Sequence, residues 1–146
     1  MKSTMQQIPL LISQILDYGT RVHAASEVVT WTPDGPRRST YGEMGRDCKR
    51  LANALRELGV DADQRVATFM WNNEEHLELY LTVPSMGAVL HALNIRLFPE
   101  QLVYVANHAE DEVVVVDNSL AAPFSRLLEY GSTVHGAQEV VTWTGG

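Results

Sequence analysis

Apolar residues recur along this chain in two rhythms, and the order of those rhythms predicts layers of helix and strand. Between Leu10 and Tyr18, Leu11, Ile12, Ile15 and Leu16 return at helical spacing, and Gly19 is placed to end a short amphipathic helix. Glu27-Val28-Val29-Thr30-Trp31 is rich in β-branched and aromatic residues. Pro33-Asp34-Gly35-Pro36 then forces a turn before Arg38-Ser39-Thr40-Tyr41. This is the pattern of a β-hairpin. Thr40 followed by Glu43 forms a capping box, in which the hydroxyl accepts from the third helical amide while the carboxylate returns to the cap amide. The helix it opens carries one apolar stripe, Met44, Cys48, Leu51, Ala52, Leu55 and Leu58, closed by Gly59.

Arg65 through Trp71 is an apolar run without alternation, as in a strand covered on both faces. Asn72 or Asn73 can cap the next helix. Its apolar surface of Leu77, Leu79, Tyr80, Val83, Met86 and Val89 is interrupted by Pro84 and Gly87, where a bend or break is expected. Pro99 suits the first turn of a further helix bearing Leu102, Val103, Val105 and Ala106. Val113-Val114-Val115-Val116-Asp117 is the strongest strand signal in the chain. Strands separated by helices predict an α/β fold, a mainly parallel sheet flanked by helices with an N-terminal β-hairpin.

Residues 13–32 and 125–144 match at a fixed offset of 112, with 13 of 20 positions identical, including the whole run Glu27–Thr32 against Glu139–Thr144. Two distant copies cannot stack as a solenoid. The chain therefore divides into residues 1–124 and a tail, 125–146, that copies the opening helix and strand. Two readings of the tail stand: an appended end of no selected purpose, or a supplied element. In the second, Val140, Val141 and Trp143 would cover a sheet edge, or compete with Val28, Val29 and Trp31 for one slot. Exchange of such segments between chains makes a homodimer, possibly segment-swapped, the expected partner state.

Composition narrows the classes. A chain of 146 residues with 45% apolar content is about one domain with enough material for a core. Its formal charge of −7 repels phosphate backbones, and the cations do not cluster, since Arg46, Lys49 and Arg50 are interleaved with Glu43 and Asp47. No nucleic-acid partner is expected. Cys48 is alone, which fits a buried thiol in a reducing compartment. The apolar run Ile8–Leu16, broken by Pro9, Ser13 and Gln14, is too short and polar for a membrane span and fails as a signal peptide. A soluble, cytoplasmic protein is expected.

Candidate chemistry is sparse. His23, His76, His91, His108 and His135 include no pair at the i, i+4 spacing of a helical zinc site. Glu75-His76 and His108-Ala109-Glu110-Asp111 place carboxylates near imidazoles but read as exposed helix ends. Ser85, Ser119 and Ser125 lack a nucleophile-elbow context, and Gly42, Gly45 and Gly59 do not form a phosphate loop. No catalytic, cofactor-binding or metal residue is assigned to the chain.

The run Gly59-Val60 through Arg65–Asn73, then Glu75–Glu78, Val83–His91, Leu93–Leu97, Glu100–Asp111 and the valine strand ending at Asp117, resembles the N-terminal region of medium- and long-chain fatty-acyl-CoA synthetases. The resemblance covers about residues 8–124 and rests on scaffold motifs held in register. It implies a parent reaction in which ATP and Mg²⁺ activate a fatty acid to an acyl-adenylate, whose acyl group then passes to coenzyme A. That family holds phosphates with a Ser/Thr/Gly-rich loop ending in Pro-Lys-Gly. Thr144-Gly145-Gly146 has no such lysine after it. The chain is thus expected to be a truncated, catalytically silent ligase fragment with no cofactor of its own. A homodimeric binding or regulatory module is the alternative, and weak binding of an acyl chain or adenine nucleotide a third reading.

Overall fold

The computed structural model describes residue 4, residues 8–127 and residues 140–143. The chain opens with helix α1 (Ile12–Val22) and the hairpin β1 (Glu27–Thr32) and β2 (Gly35–Thr40), paired antiparallel from Glu27 opposite Thr40 to Thr32 opposite Gly35. Helix α2 (Tyr41–Glu57) starts at Thr40, where both halves of the capping box with Glu43 are made. Then come β3 (Arg65–Phe69), α3 (Glu74–Ser85), β4 (Val89–Ala92), α4 (Pro99–Ala109), β5 (Val113–Asp117), a 3₁₀ turn (Asn118–Leu120) that continues as helix over 121–127, and β6 (Val140–Trp143).

The four later strands form a parallel sheet in the order β4-β3-β5-β6. Side chains on β3 and β5 alternate between two cores, as the period of two along a strand requires. Val66, Val113 and Val115 meet Leu51, Leu55, Leu79 and Val83 from α2 and α3. Ala67, Phe69, Val114 and Val116 meet Leu102 of α4 and Phe124 on the other side. The sheet is thus covered on both faces, and the α/β fold with an N-terminal hairpin is the observed one.

Two details depart from the sequence reading, the break it expected after the third helix is made, and one of its alternatives for the tail is taken. Gly19 lies inside α1 rather than at its end, because the helix runs on to Val22 with Gly19 lodged against the Tyr41 ring. The break expected at Pro84 and Gly87 is made, and it ends the helix outright. α3 stops at Ser85, Gly87 takes φ +88°, a conformation that suits glycine, and Val89 begins β4. The apolar run from Arg65 is strand only to Phe69. Finally, the two repeat copies hold different places. Residues 28–31 pair antiparallel with β2, whereas 140–143 add in parallel to β5, from Val114 opposite Val140 to Asp117 opposite Trp143. The tail strand therefore covers the β5 edge, and within one chain the copies do not compete for one slot. The expected second copy of the opening helix falls largely on 128–139, outside the described residues.

Candidate functional site

In an open parallel sheet, ligands collect outside the carboxyl ends of the strands, where neighbouring crossovers leave in opposite directions. Here that point lies between β3 and β5: the chain leaves β3 for β4 on one side, then crosses back to β5 on the other. The residues just beyond both strands are tied together. The Trp71 indole donates to Ser119 Oγ at 3.0 Å, Asn73 Nδ2 donates to Asp117 Oδ2 at 3.0 Å, and Asp117 Oδ1 accepts from the Ser119 amide at 2.9 Å. Asn73 also caps α3 by accepting from the His76 amide at 3.0 Å. One amide side chain thus fixes the helix start and links the ends of both strands.

His76, 7% exposed, is held beneath this corner. Its Nδ1 donates to the Trp71 carbonyl at 3.1 Å, leaving Nε2 to accept from Thr68 Oγ1 at 2.9 Å. Burial lowers its pKa below the ordinary value, with the Trp71 carbonyl opposing, so the ring is neutral and both nitrogens are engaged. Beside it a shallow concavity of ≈ 310 Å³ is lined by Val28–Thr30 of β1, Asn72–Glu74 and His76, Leu77 and Tyr80 of α3.

The hairpin is bound to α3 by polar contacts. Thr30 Oγ1 accepts from the Glu74 amide at 3.0 Å, Ser39 Oγ donates to the Glu74 carboxylate, and Arg37 pairs with Glu75 at 2.6 Å. Glu78 lies one turn further along, 6% exposed, and its pKa is raised to about 7 by burial first and then by Asp47, Glu74 and Glu75, with Arg37 opposing. On the other side of the sheet His91 faces Asp111 at 2.8 Å, and burial raises the Asp111 carboxyl while His91 opposes. Of the residues the sequence placed at exposed helix ends, His76 and Asp111 are instead buried, whereas His108 and Glu110 are exposed as expected. Cys48 is the buried thiol expected, 2% exposed and placed against the Glu78 carbonyl.

These groups do not fit nucleotide phosphates. A helix start binds phosphate through free amides and a favourable dipole. At α3 the first amide is taken by Thr30, the His76 amide is taken by Asn73, and Glu74 and Glu75 fill the turn with negative charge. The start of α2 is closed by its own capping box, and α4 begins with Pro99 and Glu100. What the switch-point corner offers is a polar rim of indole, amide, carboxylate and hydroxyl, set rigidly at the end of a parallel sheet.

The sequence profile of the AMP-binding enzyme family matches residues 17–143. The chain belongs to the AMP-binding enzyme family. Among curated members, 3-methylmercaptopropionyl-CoA ligase of Ruegeria lacuscaerulensis is 42% identical over 118 residues, covering 80% of this chain and 22% of that protein. Long-chain-fatty-acid–CoA ligase of Thermus thermophilus is 42% identical over 119 residues, covering 81% and 22%. The chain thus spans about a fifth of the length of these relatives. The fold agrees: a crystal structure of an anthranilate CoA ligase with anthranoyl-AMP superposes on 95% of this chain and 27% of its own at TM-score 0.78 and 21% identity. A Mycobacterium tuberculosis fatty acyl CoA synthetase does so over 91% and 26%, at TM-score 0.76 and 22% identity.

The sequence resemblance to acyl-CoA synthetases is therefore supported by family, relatives and fold. Sequence reasoning missed the corner of Trp71, Asn73, Asp117 and Ser119. The available signal was the position of polar residues directly after two buried strands.

Proposed function

We propose that this chain is the N-terminal scaffold of a fatty-acid–CoA ligase and that it does not catalyse the ligase reaction alone. The observation carrying this reading is the family match over residues 17–143 on a fold in which the starts of α2 and α3 are closed to phosphate. In the parent reaction ATP and Mg²⁺ convert a fatty acid to its acyl-adenylate, and coenzyme A takes the acyl group. The groups that stabilise charge in such a transfer must be aimed at the reacting phosphate, and those at the starts of α2 and α3 are committed to internal partners. Its contribution is architectural. The β3–β5 pair and the Asn73–Asp117 link fix one wall of the ligase, against which the nucleotide-binding part is built.

The substrate class is a fatty acid of medium or long chain, in keeping with relatives named for such substrates. The test is pyrophosphate release by the purified chain with octanoate or palmitate, ATP, Mg²⁺ and coenzyme A. Release at background level is expected. Sustained release dependent on the acid and lost on removing Mg²⁺ would overturn the proposal.

A further inference from the structure

The β1–β2 hairpin stands outside both hydrophobic cores, which are assembled from residues 51–127. Thr30 is the one buried residue in its two strands, and Trp31 next to the turn is 81% exposed. A two-stranded sheet by itself is marginal in water, so what the hairpin rests on decides whether it stays in place.

Its base is fixed. The Tyr41 amide donates to the Ser26 carbonyl at 3.0 Å, and the Gly42 amide donates to the Ala24 carbonyl at 3.0 Å. These bonds join the two ends of the hairpin where α1 leads in and α2 leads out. There α1 lies close on α2, with Gly19 against the Tyr41 ring and Thr20 against Gly45. Beyond the base, and among the described residues, the hydrogen bonds and ion pairs from the hairpin to the body all end on the first turn of α3. The Thr30 hydroxyl accepts from the Glu74 amide, the Ser39 hydroxyl donates to the Glu74 carboxylate, and Arg37 pairs with Glu75. The contacts of Arg38 with Glu27, and of Thr32 with the Gly35 carbonyl, stay within the hairpin. Two adjacent residues of one helix therefore hold the whole hairpin. One of the three contacts is an ion pair with a half-exposed arginine, a kind that contributes little. Between β1 and α3 lies the concavity of ≈ 310 Å³.

We infer that the hairpin is a flap, hinged at Ser26 and Tyr41 and latched on Glu74 and Glu75, that lifts as a unit while the sheet and its two cores stay folded. Lifting withdraws Thr30 from the Glu74 amide and opens the concavity between β1 and α3. Elements with few buried apolar contacts open at lower free energy than the core, and an opening confined to one surface exposes little of the chain. This inference does not depend on the ligase reading.

The test is hydrogen exchange of the full chain under native conditions in low, increasing urea, read amide by amide. The cross-strand amides of β1 and β2 should exchange together, at least about a hundredfold faster than those of β3 and β5, and with a much weaker dependence on urea. Arg37→Gln and Ser39→Ala each remove one latch contact. Each should speed hairpin exchange about fivefold or more while the weak urea dependence is kept. Arg50→Gln, whose partner Asp47 lies on its own helix, should leave hairpin exchange unchanged. Hairpin amides that share the rate and urea dependence of β3 and β5 overturn the inference, because the hairpin then opens only when the whole fold does. Exchange graded from the turn toward the base overturns the motion as a unit. Hairpin exchange unmoved by both latch variants overturns the latch. The parent chain alone decides the first two outcomes, whatever the stability of the variants, and thermal unfolding checks that each variant is folded.

Discussion

Replacing Glu78 by Gln should make the protein more stable at pH 8 than at pH 5, relative to the unchanged chain. Glu78 is 6% exposed on α3, near Asp47, Glu74 and Glu75, and its pKa rises from 4.5 to about 7, chiefly through burial. A native pKa above the unfolded one means that the folded state binds the proton more tightly. The proton therefore stabilises the fold fully below about pH 4.5, and this stability is lost as pH rises through about 7. A shift of this size corresponds to about 3 kcal/mol as an upper bound, and about 2 kcal/mol after allowing for solvent screening. Gln carries no charge at any pH, so the difference between variant and parent should grow by about that amount from pH 4.5 to 8. The assay is urea unfolding followed by tryptophan fluorescence at fixed ionic strength. His76 works in the other sense: its lowered pKa makes stability fall as pH drops below 6.5, but it is common to both proteins and cancels in the difference. An unmatched Gln amide would shift the whole curve by a constant without changing its slope. A difference independent of pH, or one that grows toward acid, would refute the reasoning.

Three further outcomes follow from particular contacts. Gly45→Ala should destabilise by about 1–3 kcal/mol, because the new methyl meets Thr20, and Thr20→Ala in the same chain should restore most of the loss in thermal unfolding. Thr40→Ala removes the side chain that accepts from the Glu43 amide and should cost about 1 kcal/mol in urea unfolding without altering the circular dichroism of the folded state. Cys48, buried and with its pKa raised chiefly by burial, should react with a thiol reagent only as fast as the protein opens, so that its labelling rate tracks global stability across these variants.

What could be read from the sequence was local. Thr40 and Glu43 are three residues apart and announce α2 without help from the rest of the chain. Four consecutive valines, Val113–Val116, admit little but a strand covered on both sides. The turn at Pro33–Gly35 likewise carries its own geometry. The errors came where a distant partner decides. Val89 continues the helical spacing of Val83 and Met86, yet Gly87 breaks the helix and β3 recruits Val89 as a strand partner for Arg65. Gly19 looks like a helix end until Tyr41 is seen against it.

The same distinction separates the buried polar groups from their sequence appearance. Glu74 and His76 stand at a helix start, where solvent is the usual neighbour. The hairpin brings Thr30 and Ser39 onto that start from more than thirty residues away. Trp71 and Ser119, and Asn73 and Asp117, are joined across similar separations, which only the order of the sheet explains. The repeat shows the limit most clearly. One sequence, Val-Val-Thr-Trp, is an antiparallel hairpin strand at 28–31 and a parallel sheet strand at 140–143. Composition makes it a strand in both places, and the neighbour supplies the rest.

The central claim, that this chain is the N-terminal scaffold of a fatty-acid–CoA ligase, is tested most directly by transplantation. Residues 8–124 would replace the corresponding segment of the Thermus thermophilus long-chain ligase, and acyl-CoA formation would be measured beside the unaltered enzyme. The account predicts a folded chimera that forms acyl-CoA within about tenfold of the parent rate, since scaffold replacement leaves the reacting groups in place. A folded chimera with no detectable acyl-CoA would contradict it.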